Sequence, residues 1–296
     1  MEGDTPRVYH ARPSSPAPAG ATTRGRSPLR TATRARYSGR PLTSAALAAF
    51  GAAAGLLGAL LGIGGGILIV PALSELLGVP FRHAVAASLV VIIASSSASS
   101  AAYVDRGAAN IRVGVVLELA TVAGSLLGSA VAGVAPVRVL KILFAAVALY
   151  AATMLWVRRH AGSDSAEAGA EAVHGWLPGL SASAVAGAIS GLLGVGGGLF
   201  KMPAMTLAMG MPFKVAAATS NFMIGVTAAA GAYVYFARGE LDPQLAAPLV
   251  VGVFAGSLLG STLLPRLPAR RLQGAFAVIL VFLGGRMAWL AALGGS

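Results

Sequence analysis

One stretch of this chain is written twice. Residues 55–89 read GLLGALLGIGGGILIVPALSELLGVPFRHAVAASL, and residues 187–221 read GAISGLLGVGGGLFKMPAMTLAMGMPFKVAAATSN. The two stretches lie 132 residues apart, align without a gap and are identical at 15 of 35 positions. The same offset maps AGSLLGS at 123–129 onto AGSLLGS at 255–261. Because chance matches do not keep one register over such a length, we predict two homologous repeats.

The composition places both repeats in a membrane. Of the 296 residues, 11% are charged and 56% are hydrophobic, and the mean hydropathy is +0.77. A soluble protein carries about 25% charged residues, and a membrane-spanning helix needs about 20 apolar residues. The uncharged runs that meet this length are 42–73, 174–200, 215–237 and 243–265. We therefore predict an all-α, multi-pass membrane protein.

The hydrophobic segments suggest an arrangement of four per repeat. We predict eight, at about 43–63, 84–104, 113–133, 138–157, 177–197, 216–237, 245–264 and 270–291. The predicted divisions of the chain are a disordered, arginine-rich cytoplasmic tail (1–41), transmembrane repeat 1 (42–157), a polar linker (158–175) and transmembrane repeat 2 (176–296).

The net charge of +12 does not indicate nucleic-acid binding. Eight arginines stand in residues 1–40, where positive charge is typical of a cytoplasmic tail, and the two tyrosines there, Tyr9 and Tyr37, form no regular pattern for base stacking. The chain has no cysteine, which excludes disulfides, cysteine-ligated metals and thiol catalysis. We expect no nucleic acid, metal or cofactor, and the pattern leaves the oligomeric state open.

The first segment of each repeat is predicted to be broken at a glycine loop. GIGGG at 62–66 and GVGGG at 194–198 each precede a proline, Pro71 or Pro203, by five residues. Glycine costs roughly 1 kcal/mol relative to alanine in a helix, and irregular backbone inside a membrane is tolerated where it lines a cavity. Freed N–H groups there can bind an anion. Close helix packing through small residues is the alternative. The candidate substrate-binding glycines are Gly64, Gly65, Gly66, Gly196, Gly197 and Gly198.

The broken segments leave two topologies open. If each segment crosses the membrane once, each repeat has four crossings and the repeats are parallel. If each segment enters and returns on one side, each repeat has three crossings and the repeats are inverted. The distribution of lysine and arginine among the loops favours the re-entrant form.

Polar side chains follow each glycine loop. Ser88 in the first repeat and Thr219, Ser220 and Asn221 in the second offer uncharged hydrogen-bond donors to an anion, although hydrogen bonds between helices would also explain them. Lys201 follows the second loop directly and is a candidate countercharge. Lys214 starts the next helix and is a second candidate, with an interfacial anchor as its alternative.

Two acidic residues lie within the apolar segments. Glu118 is an ionisable residue inside a predicted span, so it is a candidate for proton coupling, with an interfacial or paired carboxylate as the alternative. Its equivalent in the second repeat is Val250. Glu75 is similar. The pattern shows no ionisable pair that contains either carboxylate.

These motifs resemble a known family. An apolar helix running into Gly-Xaa-Gly-Gly-Gly with a downstream proline, then Gly-Xaa-Pro-Phe and an Ala-Ala/Thr-Ser motif (86–88 and 218–220), all in duplicate, resembles the sulfite exporter TauE/SafE family of membrane permeases. The resemblance covers nearly everything after residue 42 and implies a multi-pass transporter in the plasma (inner) membrane that moves small anions such as sulfite or organosulfonates. The family's Thr-Ser pair matches Thr219 and Ser220, whereas the first repeat has Ala87 and Ser88.

The expected function is export of a small anion by a secondary transporter, coupled or not to protons or another ion. An uptake permease on the same scaffold is the main alternative, and a passive channel is another. An intramembrane enzyme would need an ionisable pair or a metal cluster within the spans, and the pattern indicates neither.

Overall fold

The computed structural model describes residues 44–61, 65–105, 109–160, 174–263 and 269–292, and these residues are helical apart from short connections. The helices are α1 (Ser44–Leu61), α2 (Gly66–Pro71), α3 (Phe81–Asp105), α4 (Ile111–Val134), α5 (Val137–His160), α6 (Trp176–Leu193), α7 (Gly198–Pro203), α8 (Phe213–Ala237), α9 (Pro243–Leu263) and α10 (Ala269–Ala292). An all-helical chain follows from its apolar composition, because a lipid offers no partner to a backbone N–H or C=O group.

Six helices are long and apolar enough to cross a membrane. Their spans are Phe81–Ser100, Ile111–Val134, Val137–Val157, Trp176–Leu193, Val215–Ala237 and Pro243–Gly260. The shorter apolar helical stretches among the described residues are Ser44–Ala59, Gly66–Leu76 and Phe276–Ala292. The multi-pass membrane protein predicted from composition is consistent with this set. The predicted tail at 1–41 and most of the predicted linker lie outside the described residues, and α5 continues to His160.

The second glycine run interrupts the helix that leads into it. Helix α6 ends at Leu193 and α7 begins at Gly198, so the helix stops before the end of the predicted segment 177–197. Gly194, Gly196 and Gly197 have φ values of 70, 87 and 68°, which side-chain-bearing residues rarely adopt. In the first repeat α1 ends and α2 begins around the equivalent run, of which residues 62–64 lie outside the described part of the chain.

Beyond the second loop the chain turns back along the helix it has just left. Two π-helical segments, Ala72–Leu76 and Ala204–Ala208, continue α2 and α7, each directly after a proline whose missing N–H interrupts the α-helical ladder. At the end of the second segment, the carbonyl of Ala208 contacts Gly175, which directly precedes α6. Helix α6 and the stretch from α7 to Ala208 therefore form an antiparallel helical hairpin.

The first repeat has the same hairpin. Leu68, Ala72 and Leu76, from α2 and its π-helical continuation, line one groove together with Phe50 and Leu57 of α1. The returning stretch thus lies along α1. A broken segment that returns along the helix it has left is the arrangement that the re-entrant topology requires.

Glycines set the closest helix contacts. Helix α4 packs against α6, with Gly124 on the carbonyl of Ala184 and Gly128 on the carbonyl of Ala188. A Cβ atom at either glycine would collide with backbone, so only glycine allows this approach. The residue numbers rise together along both helices, which means that α4 and α6 run parallel.

The contact between α1 and α9 has the same pattern. Gly256 lies on the carbonyl of Ala52, and Gly260 lies on the carbonyl of Leu56. At an offset of 132 residues, Gly256 and Gly260 are equivalent to Gly124 and Gly128. Ala52 and Leu56 are likewise equivalent to Ala184 and Ala188. Each hairpin is therefore held mainly by a helix from the other half of the chain.

Helices α3 and α8 pack against each other at the centre of the bundle. The Ser96 hydroxyl donates a hydrogen bond to the carbonyl of Asn221 at 2.7 Å, and Leu89 lies against Gly231. The residue numbers on the two helices run in opposite directions, so α3 and α8 are antiparallel.

We expect Gly124→Ala and Gly256→Ala to lower the stability of the purified protein by similar amounts. Each added methyl group meets a backbone carbonyl, and overpacking of this kind costs about 1–3 kcal/mol. The measurement is thermal unfolding in detergent. Gly285→Ala on α10 is the matched control, because nothing lies within 4 Å of its added Cβ. Equal stability of all three variants would contradict the packing described above.

Candidate functional site

The two glycine runs meet inside the bundle. A Cβ atom on Gly66 would lie 2.6 Å from the carbonyl oxygen of Gly194 and 2.8 Å from Oγ of Ser88. The Ser88 hydroxyl donates a hydrogen bond to the carbonyl of Gly194 at 2.7 Å, and its oxygen lies 3.3 Å from the carbonyl oxygen of Gly66. Ser88, a predicted substrate donor, thus ties the start of α2 to the end of α6.

The last turn of α6 is held from two sides. The carbonyl of Gly191 accepts hydrogen bonds from the hydroxyl of Ser129 on α4 at 3.2 Å and from the hydroxyl of Tyr235 on α8 at 3.0 Å. The turn from which the glycine loop begins is therefore fixed relative to both neighbouring helices.

The second glycine loop has buried donors without partners. Gly194–Gly198 are buried, and no hydrogen bond within the described part of the chain uses the N–H of Gly196, Gly197 or Gly198. An unpaired backbone group inside a membrane is strongly unfavourable. Successive N–H groups of this kind suit an anion or ordered water.

Ser220 adds a hydroxyl to this loop. Its oxygen is fully buried, has no hydrogen-bond partner among the described residues and lies 3.3 Å from the position of a Cβ atom on Gly198. The neighbouring Asn221 is 5% exposed, and its backbone carbonyl accepts the Ser96 hydrogen bond. The structure therefore brings two predicted site residues, Ser220 and Gly198, directly together.

Other predicted site residues lie away from this loop or outside the described residues. The hydroxyl of Thr219 accepts a hydrogen bond from the backbone N–H of Asn110 at 2.9 Å, which ties it to the start of α4. The side chain of Lys214 and all of Gly64 lie outside the described residues. Gly65 has a φ of 71° and precedes α2.

Lys201 and Glu118 form a buried ion pair. Lys201 is 0% exposed, and its Nζ lies 3.3 Å from Oε2 of Glu118. Nζ also donates to Oγ1 of Thr227 at 2.6 Å, and that hydroxyl lies 2.6 Å from Oε1 of Glu118. The reading that the apolar segments hold no ionisable pair was wrong, because the partner of Glu118 stands 83 residues further along the chain.

Glu75 is also paired, contrary to expectation. Its carboxylate lies 3.5 Å from Nζ of Lys141 on α5. Sequence reasoning missed this pair and Thr227 alike. The only signal for Thr227 is its spacing, since Ser220, Ile224 and Thr227 follow the i, i+4, i+7 pattern of one helix face.

This face of α8 connects the loop with the ion pair. A Cβ atom on Gly198 would contact Ile224 as well as Ser220, so the face points toward α7. Thr227 lies about 10 Å further along the same face. The unpartnered donors and the buried ion pair therefore lie along one side of one helix.

A protein-family model described as sulfite exporter TauE/SafE matches residues 47–287. The chain belongs to the sulfite exporter TauE/SafE family. This match covers all ten helices of the described structure at least in part.

Several curated relatives align with this chain over most of their own length. "Probable membrane transporter protein YunE" of Bacillus subtilis is 27% identical over 258 residues, which cover 80% of this chain and 94% of the relative. "Probable membrane transporter protein" of Xylella fastidiosa is 28% identical over 233 residues, covering 78% and 89%. No solved structure matches this TauE/SafE chain.

We expect Lys201→Met to destabilise this TauE/SafE protein strongly. The change leaves the Glu118 carboxylate buried without its counter-ion, and breaking a buried pair costs about 3–5 kcal/mol. The loss should shrink toward acidic pH, because a protonated carboxyl is neutral. Thermal unfolding in detergent over a pH series measures both effects. The double variant Lys201→Met/Glu118→Gln should recover most of the stability, and failure to recover any would contradict this account.

Proposed function

We propose that this protein is a secondary transporter of small anions in the plasma membrane, with sulfite or organosulfonates as substrates and export as its direction. The observation that carries the proposal is the buried loop Gly194–Gly198, in which the N–H groups of Gly196, Gly197 and Gly198 have no hydrogen-bond partner among the described residues. The unpartnered hydroxyl of Ser220 supports it. Such donors suit an oxyanion because they stabilise negative charge without adding a full positive one.

We also propose that the chain folds as two inverted repeats, α1–α5 and α6–α10. Each would contribute one re-entrant hairpin and three crossings, which together account for the eight hydrophobic segments predicted from sequence. The hairpins, the antiparallel α3 and α8, and the helix contacts that recur after 132 residues support this topology. In inverted-repeat transporters, rocking of one repeat against the other opens a central site to either side in turn.

The proposed transport is tested with purified protein in liposomes. Radiolabelled sulfite and methanesulfonate are the probes. A carrier should give saturable uptake and counterflow, in which unlabelled anion inside accelerates entry of the label. Flux without saturation or counterflow would indicate a channel instead, and the absence of any anion flux would contradict transport of this substrate class.

We expect Gly196→Ala to reduce transport strongly. Its φ of 87° strains any side chain, and the added methyl group would lie in the proposed anion loop, 3.2 Å from Ile224. Gly239→Ala is the matched control, because it has a φ of 72° with nothing within 4 Å of its added Cβ. Initial rates of radiolabelled uptake compare the two. Equal losses would attribute the effect to backbone strain rather than to the loop.

We expect Ser220→Ala to weaken anion binding by about tenfold to a hundredfold. A hydrogen bond to a charged group contributes about 1.5–3 kcal/mol. Ser183→Ala is the control, since that hydroxyl on α6 is also buried and has no partner among the described residues. Binding of sulfite to the purified variants is measured by calorimetry. An unchanged affinity in Ser220→Ala would remove this hydroxyl from the site.

A further inference from the structure

The ion pair of Glu118 and Lys201 joins the two halves of the chain. Glu118 lies on α4, whereas Lys201 and Thr227 lie on α7 and α8. The equivalent positions in the opposite repeats are Val250 and Ile69, which carry no charge. The pair therefore exists once per chain, although the surrounding motifs are duplicated.

We propose that this pair couples anion transport to protons: an anion that leaves the Gly194–Gly198 loop moves along the face of α8 that carries Thr227 and replaces the Glu118 carboxylate on Lys201, while Glu118 takes up one proton. Each singly charged anion would then cross with one proton and without net charge. This inference rests on the proposed transport function and adds its coupling ion and stoichiometry.

Charge balance in a buried site gives the stoichiometry. The resting pair is neutral, with one ammonium and one carboxylate. Replacement of the carboxylate by a monoanion on Lys201 would leave two negative charges, the anion and the displaced carboxylate, beside one ammonium, which is strongly unfavourable away from water. One proton on the carboxylate restores neutrality. The hydrogen bond from Nζ to Oε2 is exchanged for one from Nζ to the anion, and the proton comes from water.

Thr227 allows Glu118 to exist in both protonation states. Its Oγ1 lies 2.6 Å from Oε1 of Glu118 and 3.2 Å from the carbonyl of Met223. A hydroxyl donates only one hydrogen bond at a time. With Glu118 ionised, Thr227 donates to the carboxylate. With Glu118 protonated, the carboxyl donates to Thr227, which then donates to Met223.

No other charged group is in contact with the pair in the described part of the chain. Helix α6 and the segment Ala204–Ala208 carry no titratable residue. The other elements packed around the pair carry Arg112 on α4, Arg138, Lys141, Tyr150, Arg158, Arg159 and His160 on α5, and Lys214, Tyr233 and Tyr235 on α8. No hydrogen bond or ion pair links the described side chains of this set to Glu118 or Lys201. Glu118 is therefore the group that takes up and releases the proton.

The test uses the full chain in liposomes that contain a pH-sensitive dye. Methanesulfonate is the probe, because its single negative charge does not change between mildly acidic and mildly alkaline pH. We expect its inward flux to acidify the lumen with one proton per anion. An imposed membrane potential should leave the rate unchanged, because no net charge moves.

The variant Glu118→Gln separates coupling from binding. Glutamine resembles the protonated carboxyl but cannot release a proton. We expect any counterflow of methanesulfonate that the variant retains to occur without lumen acidification and without the pH dependence of the wild-type flux. Glu75→Gln is the matched control, since this carboxylate is also paired with a lysine, and it should keep proton movement.

The outcomes distinguish the two proposals. Anion flux through the wild-type protein without proton movement, or with a rate that follows the membrane potential, would overturn the coupling and leave transport standing. Proton movement that persists in Glu118→Gln would overturn the role of Glu118. Absence of anion flux in the wild type would overturn the proposed function, and the coupling with it. If Glu118→Gln does not fold, the measurement of proton movement with anion flux through the wild-type protein still tests the proposed coupling.

Discussion

Polar groups inside this helical bundle need partners within the protein, because a lipid supplies none. The helices meet that need along most of the backbone. Where side chains are polar, the bundle supplies specific partners: Ser88 bonds to Gly194, Ser96 bonds to Asn221, and Lys201 bonds to Glu118. The groups that remain unpartnered within the described residues therefore stand out, and several of them gather at the second glycine loop and Ser220.

Close packing between the two halves of the chain holds these groups in place. Helix α6 lies on α4 through Gly124 and Gly128, which permit a backbone approach that any larger residue would prevent. The end of the same helix is fixed by Ser129 and Tyr235. A loop that would be unstable alone is thus supported by helices on both sides.

The ion pair adds a connection of a different kind. Packing contacts depend on shape, whereas the bond between Lys201 and Glu118 depends on charge and can be exchanged for another. Because Lys201 lies close to the loop in sequence and Glu118 lies in the other half of the chain, a ligand that competes for Lys201 would alter a contact between the proposed repeats. The proposed coupling relies on this link.

The sequence by itself determined the helical membrane fold, the duplication and the break at the second glycine run, because apolar length, internal repetition and glycine content act locally. It also indicated Ser220 and the loop glycines as candidate residues of one substrate-binding site. Only the tertiary structure decided that the broken segments turn back as hairpins, that Thr219 bonds to the start of α4, and that Glu118 is paired with Lys201. These features depend on which helices pack together, and residues 83 positions apart meet only when two distant segments are brought into contact.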